Sequence, residues 1–306
     1  MTASVFIDGA VGTTGLEIRE RLEGRDGLSL VILDEARRKD REARREALND
    51  ADFVILCLPD DAAREAVALI DNPRTRVIDA SSAHRVADGW TYGFPELGFD
   101  VANARLVSNP GCWPSGFLAL VAPLVRAGLI PADWPLIYSG ASGYSGGGKA
   151  MIAEFESGAA ATAYRAYGLS LAHKHLPEMR DHAGLAAAPV FLPAVAAVHR
   201  GMLGEVALPL AAIPGSPSLD AIRDTLTAAY AHGGVIRVAP QSDESMIRIE
   251  EDAGTDRMTL HVFGNAANGH ARLIATYDNL GKGASGAAVQ SLNLMAGLDP
   301  LAGLTL

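Results

Sequence analysis

A glycine-rich turn near the start of the chain, between an apolar run and a helical pattern, restricts the possible folds most. Residues 5–7 are apolar, residues 9–15 have the spacing G-x-x-G-x-x-G, and a helix is predicted from about Thr14. The N–H groups at a helix N-terminus bind phosphate, and glycines let a phosphate approach the backbone closely. A strand-to-helix turn without a ligand is the alternative. We predict a dinucleotide-binding turn, one residue longer than the common fingerprint, that uses Gly9, Gly12, Thr13, Thr14 and Gly15.

The whole chain has 306 residues, which is enough for about two domains. In its first third, predicted strands and helices alternate. The runs at 28–33 and 53–58 are apolar and continuous, and Val77-Ile78-Asp79 follows, as in parallel strands that helices cover on both faces. We therefore predict an α/β fold, in which a Rossmann-type doubly wound parallel sheet comprises residues 1–111 plus 284–306.

An inserted α+β domain is predicted for residues 112–283, with helices at 114–127 and 219–231. One strand is predicted at 136–138. Later runs look like antiparallel strands and lie at 190–192, 204–210, 234–238, 246–249, 257–263 and 272–277. The glycine-rich residues 139–148 are predicted to form a loop. A last helix is predicted at 286–298, where it would pack back on the first domain.

Composition argues against several classes of partner. The formal net charge is -10, and the only dense basic run is 37–45, whereas nucleic acids and anionic membranes need an extended positive surface. The first residues lack the pattern of a signal peptide, and two cysteines cannot make a disulfide framework. We expect a cytoplasmic protein that acts on a small molecule, with no nucleic-acid partner, no membrane span and no metal site.

The end of the second predicted strand bears on the choice of cofactor. An acidic residue there suits the ribose of NAD, and basic residues suit the 2′-phosphate of NADP. Asp34 is followed closely by Arg37, Arg38 and Lys39, which favours NADP(H), with NAD as the alternative. The basic residues at 41–45 fit a solvated helix face better than a binding site.

Cys112 is the candidate nucleophile. It lies between Pro110-Gly111 and an apolar helix whose first turn would contain Pro114, so it is predicted at the N-cap. The helix dipole and the N–H groups there lower the pKa of a thiol and stabilise an oxyanion. A chance cysteine in a Pro-Gly turn is the alternative. Cys57, inside an apolar strand, is predicted to be a buried hydrophobic residue.

Four further segments carry polar groups that could serve Cys112, with exposed surface side chains or a flexible helix start as the alternatives. His173 and His175 share a face if residues 173–178 are extended, and either could transfer protons. His199-Arg200 could grip a carboxylate or phosphate. Residues 143–149 nearly match a nucleotide P-loop, but Ala150 replaces the magnesium-binding hydroxyl, so we keep only a loop near the site. Residues 279–290 could contact an anion or a cofactor.

These motifs, in this order, resemble the N-acetyl-gamma-glutamyl-phosphate reductases in their shorter form, a branch of the semialdehyde dehydrogenase family that acts in arginine biosynthesis. The resemblance covers nearly the whole chain and rests on residues 9–15, 109–112, 173–178 and 282–290. It implies NADP(H), a Rossmann domain completed by the last helix, and an inserted domain for substrate binding and oligomer contacts, with a homodimer or homotetramer expected.

The resemblance also implies site residues and a reaction. Cofactor contacts are expected from Ser142, Gly143, Asn279, Lys282 and Gly283, besides the glycine turn and the basic residues, and substrate contacts from Asn109, Glu178, His199 and Arg200. N-acetyl-L-glutamyl 5-phosphate would be reduced to the 5-semialdehyde through a thioester on Cys112, with His173 or His175 moving the proton. Aspartate-semialdehyde dehydrogenase, or another acyl-phosphate reductase of the family, is the alternative enzyme. A dinucleotide-sensing regulator without catalysis is the alternative of a different class.

Overall fold

Two β-sheets organise the chain in the computed structural model, which describes residues 2–306. The chain divides into two compact units. One consists of the residues before Cys112 together with Ala284–Leu304, and the other of Cys112–Gly283 with Thr305–Leu306. The last two residues, which the sequence had assigned to the first unit, belong to the second because Thr305 exchanges two hydrogen bonds with Asp256.

The first unit contains a six-stranded sheet with helices on both faces. Its strands are β1 (Ala3–Asp8), β2 (Leu28–Val31), β3 (Phe53–Leu56), β4 (Arg76–Asp79), β5 (Thr91–Tyr92) and β6 (Leu106–Ser108). Its α-helices are α1 (Thr13–Leu22), α2 (Arg41–Asp50), α3 (Asp60–Ala68) and α8 (Gly286–Met295), and a 3-10 turn spans Pro95–Leu97.

All neighbouring strands of this sheet are parallel, in the order β2-β1-β3-β4-β6-β5. One core cluster unites the sheet with α1 and α8 through residues such as Ile18 and Leu292. A second cluster unites the other face with α2 and α3 through Leu48 and Ala63. The doubly wound sheet predicted from the continuous apolar runs is therefore confirmed, because strands covered on both faces have no polar side to expose.

The second unit contains a seven-stranded mixed sheet and four α-helices. The strands are β7 (Ile137–Gly143), β8 (Tyr164–Ala166), β9 (Val190–Ala196), β10 (Met202–Pro209), β11 (Ile236–Val238), β12 (Met258–Asn265) and β13 (His270–Tyr277). The helices are α4 (Cys112–Arg126), α5 (Gly148–Glu156), α6 (Leu176–Ala183) and α7 (Leu219–Ala229), with short turns at Tyr144–Gly147, Leu210–Ala212 and Gly281–Ser285. The strand order is β11-β12-β13-β10-β7-β9-β8, and the buried helix α4 packs against one face.

Several predictions for this unit were wrong. The pairs β7–β9 and β11–β12 are parallel, so the sheet is mixed rather than antiparallel. Residues 139–143 form part of β7 instead of a loop, and Gly140 lets β10 approach, since a Cβ there would lie 2.1 Å from the Leu203 carbonyl oxygen. Residues 246–249 form no strand, and Met246 in this segment is 83% exposed instead of packed in a sheet.

The histidine segment also differs from its prediction. Residues 176–183 form helix α6, with His175 at its N-cap and Pro177 in its first turn. Proline is accommodated there because the first N–H groups of a helix have no partner within the helix. The segment before the helix is therefore a turn and not an extended strand.

Two kinds of structural feature do not occur among residues 2–306. None of the helices in this part of the chain is both long and apolar enough to cross a membrane. The same residues contain no group of three or more histidine, cysteine, aspartate or glutamate side chains arranged to hold a metal ion.

Candidate active site

The turn between β1 and α1 forms a backbone cradle in the first unit. Gly9 has a φ of +90°, and a Cβ there would lie 2.3 Å from the Cys57 carbonyl oxygen. A Cβ on Gly15 would lie 2.4 Å from the Gly9 carbonyl oxygen. Gly12 is the N-cap of α1, and a Cβ added there would lie 3.5 Å from its nearest neighbour, the Gly9 carbonyl oxygen. The absence of a side chain at Gly12 therefore leaves the helix N-terminus open. Gly9 and Gly15 are thus required by packing, whereas Gly12 keeps the approach clear for a phosphate.

A cleft of about 280 Å³ adjoins this turn and is partly basic. Of the three predicted basic contacts, Arg38 and Lys39 line it. Arg37 does not, because it pairs with Glu46 at 3.1 Å on the exposed surface. The cradle and the cleft together suit the pyrophosphate and adenosine of a dinucleotide.

Arg44, which the sequence analysis placed on a solvated helix face, also lines the cleft. Its Nε and Nη2 donate to Asp8 Oδ2 at 3.0 and 2.9 Å. Burial raises the pKa of Asp8, and the Arg44 guanidinium opposes that shift only in part. The spacing of residues in α2 could have predicted this position. Arg44 lies three and four residues before the buried Ala47 and Leu48, so it shares their helix face.

In the second unit, Cys112 is the first residue of α4, one position further into the helix than predicted. A Cβ on Gly283 would lie 2.9 Å from the Asp278 carbonyl oxygen and 3.1 Å from the Cys112 Cβ, so glycine suits this position beside Cys112. Trp113 and the following helix residues are buried. The thiol therefore stands at a helix N-terminus, where N–H groups stabilise negative charge.

A buried pair of tyrosines supports the start of α4. The Tyr277 hydroxyl donates to the Cys112 carbonyl oxygen at 2.8 Å. Burial raises the pKa of Tyr277 and of Tyr138, so both phenols stay neutral. A Cβ on Gly116 would lie 2.6 Å from Tyr277, and a Cβ on Gly204 would lie 2.0 Å from the Tyr138 hydroxyl. Helix α4 and β10 thus need glycine where these rings pack, a role that no local pattern in the sequence indicates.

The two predicted histidines lie together beside α6. Their ring centroids are 4.6 Å apart, and the His173 Nδ1 accepts a hydrogen bond from the His175 backbone N–H at 3.2 Å. His175 is 6% exposed, and its Nε2 lies 4.0 Å from Oε1 of Glu178, which is 1% exposed.

Contacts between aromatic side chains connect the histidines to the start of α4. The Trp113 indole donates to the Tyr167 hydroxyl at 2.6 Å, and the Tyr167 ring lies 6.0 Å from the ring of His173. The residue next to Cys112 is therefore linked to the histidine pair by direct contacts.

Arg200 has a fixed orientation, since its Nε lies 2.7 Å from Oδ2 of the fully buried Asp278. Asp278 also accepts hydrogen bonds from the backbone N–H groups of Gly254, Leu280 and Gly281. The carboxylate thus holds both the arginine and the loop after β13. The neighbouring His199 side chain is exposed and lies edge-on to Tyr144.

Several predicted cofactor contacts lie near these loops. The Asn279 side chain accepts from the Gly201 N–H at 3.0 Å and donates to the Ser145 hydroxyl at 2.8 Å, so it joins two loops to the end of β13. Ser142 and Gly143 end β7, where Ser142 is 4% exposed. Lys282 is 2% exposed. The side chains of Asn279, Ser142 and Lys282 are thus largely enclosed by protein, and their contact with a cofactor stays a prediction.

A polar cluster in the first unit was missed by the sequence analysis. The His84 Nδ1 lies 2.6 Å from Oδ2 of the fully buried Asp79 at the carboxyl end of β4, and Trp90 stacks on the His84 ring. The adjacent Arg85 is 9% exposed and donates to the carbonyl oxygen of Asn109 at 3.0 Å. Asn109 itself is 1% exposed and donates to the Ala284 carbonyl oxygen. The sequence could have indicated this cluster, because residues 79–85 begin at the carboxyl end of a predicted parallel strand, and ligands bind at that end in such sheets.

Comparison with known proteins identifies the class to which this fold and site belong. Residues 4–104 match the family described as "Semialdehyde dehydrogenase, NAD binding domain". Residues 112–279 match "Semialdehyde dehydrogenase, dimerisation domain". The chain belongs to the semialdehyde dehydrogenase family, as its motifs predicted.

Within that family the chain is similar to proteins of one name. It is 51% identical over 305 residues to the N-acetyl-gamma-glutamyl-phosphate reductase of Chelativorans sp. strain BNC1, covering 96% of this chain and 98% of that one. It is 50% identical over 305 residues to the N-acetyl-gamma-glutamyl-phosphate reductase 2 of Pseudomonas putida strain KT2440, covering 97% of each chain.

Solved structures with low sequence identity share the fold. Aspartate semialdehyde dehydrogenase II of Vibrio cholerae, in complex with ASA, has a TM-score of 0.74 and 16% identity, covering 97% of this chain and 99% of that one. The NADP complex of aspartate semialdehyde dehydrogenase from Candida albicans has a TM-score of 0.66 and 13% identity, covering 99% of each chain. At such identities the likeness establishes the architecture alone.

Proposed function

We propose that this protein reduces N-acetyl-L-glutamyl 5-phosphate to N-acetyl-L-glutamate 5-semialdehyde with NADPH and releases phosphate, as a step of arginine biosynthesis. The observation that carries the proposal is Cys112 at the start of a buried helix, in a chain half identical to proteins named for this reduction. The residues before 112 with 284–304 would bind the dinucleotide, and residues 112–283 would bind the substrate.

The Cys112 thiolate adds to the acyl carbonyl carbon, and the carbon–oxygen bond to phosphate then breaks to leave a thioester. N–H groups in the first turn of α4 stabilise the oxyanion during this addition. NADPH, when bound, supplies the hydride that reduces the thioester carbonyl. The carbon–sulfur bond then breaks, so the aldehyde leaves and the thiolate is restored. Gly283 leaves room beside the Cys112 Cβ for the groups on the reacting carbon.

His175 is the better candidate of the two histidines for proton transfer. The Glu178 carboxylate, 4.0 Å away and almost fully buried, stabilises a protonated His175 imidazole. His173 is more exposed, and its Nδ1 accepts the His175 backbone N–H. We infer that His175 donates and accepts the proton and that His173 orients the turn.

Arg200 is the candidate for binding an anionic group of the substrate. Asp278 holds the guanidinium at Nε, and a guanidinium fixed in this way suits recognition of a carboxylate or phosphate. His199, Asn109 and Glu178 complete the proposed substrate contacts. Gly9, Gly12, Thr13, Thr14, Gly15, Arg38 and Lys39 are the proposed cofactor contacts, and Ser142, Gly143, Asn279, Lys282 and Gly283 stay with them as predictions.

The substrate is tested in the reverse direction, with phosphate and NADP⁺. We expect rapid NADP⁺ reduction with N-acetylglutamate semialdehyde and rates lower by about 100-fold or more with aspartate semialdehyde, since a site built for one polar substituent discriminates strongly against its absence. The absorbance of NADPH is the measurement, and omission of phosphate is the control. Faster turnover of aspartate semialdehyde would favour the alternative enzyme, and NADPH binding without any turnover would favour a regulator.

We also propose that a second copy of this chain covers the exposed face of the seven-stranded sheet. Apolar residues on that face are unusually exposed, namely Ile137 at 53%, Val190 at 44% and Leu192 at 46%. The paired Glu205 and Arg272, 2.6 Å apart, lie on the same face and could form contacts at its polar rim. The family description of this region as a dimerisation domain favours a homodimer, or a homotetramer built from dimers.

Substitution of Leu192 by aspartate tests this proposed interface. We expect Leu192→Asp to shift the protein from dimer to monomer in sedimentation velocity, because an unpaired charge in an apolar interface is strongly unfavourable. The matched control is Met246→Asp, since Met246 is 83% exposed but lies outside the sheet. A dimer that tolerates aspartate at 192 would contradict the proposed surface.

We also propose a cytoplasmic location, because the reaction at Cys112 needs a reduced thiol. Cell fractionation would test this location.

A further inference from the structure

The buried pair of Arg44 and Asp8 lies in the cleft beside the glycine turn and has no part in the chemistry at Cys112. The side chains are 12% and 6% exposed, respectively. Their two hydrogen bonds use Nε and Nη2 of the arginine and a single carboxylate oxygen. Nη1 of Arg44 is not used in this pair, so its N–H groups are available to a ligand in the cleft that Arg44 lines.

The remaining walls of the cleft suit an adenosine. Apolar side chains from Val11, Ile32, Leu33, Leu58 and Ala62 line it. Val11 and Ile32 are 47% and 37% exposed, so a flat aromatic base would bury apolar surface that water now contacts. The basic residues Arg38 and Lys39 lie in the same lining, at the end of the chain segment that follows β2.

Among the arginines in this region, Arg44 is the best prepared to bind a phosphate. Arg38 pairs with Glu35, which is 91% exposed, and Arg37 pairs with Glu46, which is 66% exposed, so water and salt screen both arginines. Arg44 is enclosed and its guanidinium is held by Asp8, so little side-chain entropy is lost when a ligand binds. A planar guanidinium also matches two phosphate oxygens at once.

We propose that Arg44, positioned by Asp8, binds the 2′-phosphate of the adenosine half of NADP(H) and determines the preference for NADP(H) over NAD(H). This inference rests on the proposed use of NADPH and names the residue that recognises it. Arg38 and Lys39 add positive charge around the same phosphate. The segment at 37–39, which the sequence favoured for this role, is secondary to a helix residue further along the chain.

The test measures binding of two probes by titration calorimetry, namely adenosine 2′,5′-bisphosphate and adenosine 5′-monophosphate. We expect Arg44→Gln to weaken binding of the bisphosphate by about 10- to 100-fold, as for loss of a charged hydrogen bond, and to leave the monophosphate within about twofold. Arg45→Gln is the matched control, since Arg45 is the next residue on α2 but pairs with Asp71 on the exposed surface. That control should bind both probes as the wild type does.

A second variant guards against a folding defect, because Arg44→Gln leaves a buried carboxylate without its arginine. Asp8→Asn combined with Arg44→Gln removes both charges, and it should keep the wild-type melting temperature while losing the preference for the bisphosphate. Unchanged bisphosphate affinity in both Arg44 variants would overturn the inference, as would equal affinity of the wild type for the two probes. Neither probe includes the substrate, so a different acyl phosphate in the activity assay would refute the proposed function and leave this result standing. A wild type that binds neither probe would overturn the inference, and the activity assay would then test the proposed function by itself.

Discussion

The Cys112→Ser variant should lose NADPH-dependent reduction by on the order of 10³-fold or more, while it still binds NADPH. A serine hydroxyl is far less acidic than a thiol, so a helix N-terminus that ionises cysteine leaves serine neutral and a weak nucleophile. The substitution removes little volume from the start of α4, so the fold and the Tyr277 contact to the residue 112 carbonyl should survive. Turnover and NADPH fluorescence on the same preparation separate the two effects.

The second cysteine provides the control for this experiment. Cys57 directly follows β3 and is half-buried, so the prediction of a fully buried residue inside the strand was wrong. Desolvation, with help from the nearby Asp79 and Asp8 carboxylates, still raises the pKa of Cys57 to about 12. Cys57→Ser should therefore keep wild-type turnover, and iodoacetamide near neutral pH should modify the wild type at Cys112 alone. Retained turnover in Cys112→Ser, or inactivation that follows modification of Cys57, would contradict the thioester mechanism.

The Gly9→Ala variant should be destabilised by about 2–5 kcal/mol and should lose most of its dinucleotide binding. Alanine there must adopt a φ of +90°, and its Cβ would lie 2.3 Å from the backbone oxygen of Cys57. Because that oxygen belongs to the segment after β3, relief of the clash requires β1 and β3 to separate, and the cradle at the start of α1 would open with them. Thermal or urea unfolding of the nucleotide-free protein measures the effect.

Gly12→Ala distinguishes the packing role of a glycine from its ligand role in the same turn. A Cβ on Gly12 has only the Gly9 carbonyl oxygen near it, at 3.5 Å, and its φ of -74° suits alanine. We expect wild-type stability in this variant but NADPH affinity lower by about tenfold, because the methyl group stands where phosphate approaches the helix. A stable Gly9→Ala variant, or tight NADPH binding by Gly12→Ala, would contradict these roles.

Residues within a few positions of each other were the easiest to predict. The glycine turn, the strand before it and the helix after it are consecutive, so their spacing is enough to predict a dinucleotide cradle. Cys112 was predicted as the nucleophile in the same way, from the proline, glycine and apolar helix around it. The segment 173–178 shows the limit of local rules. A proline favours an extended conformation in the residue before it, but it also fits the first turn of a helix. Pro177 lies in the first turn of α6.

Contacts between distant residues could not be predicted in this way. Arg44 and Asp8 are 36 positions apart, so periodicity could put Arg44 on a helix face but not identify the carboxylate opposite it. Tyr277 and Cys112 are 165 positions apart, and the need for glycine at 116 and 204 follows only once the two phenols are packed between them. Asn279, expected at a cofactor, joins the loops of Ser145 and Gly201 for the same reason.

By itself, the sequence determined the class of fold and the family, and it indicated Cys112 as the candidate nucleophile and residues 9–15 as the candidate dinucleotide turn. Each of these depends on short-range spacing and on side-chain chemistry. Only the tertiary structure decided which charged groups are buried together, which histidine lies beside Glu178, and which arginine faces the cleft at β1. Burial decides these points because it changes what a charge requires, and burial is a property of packed elements that are far apart in the chain.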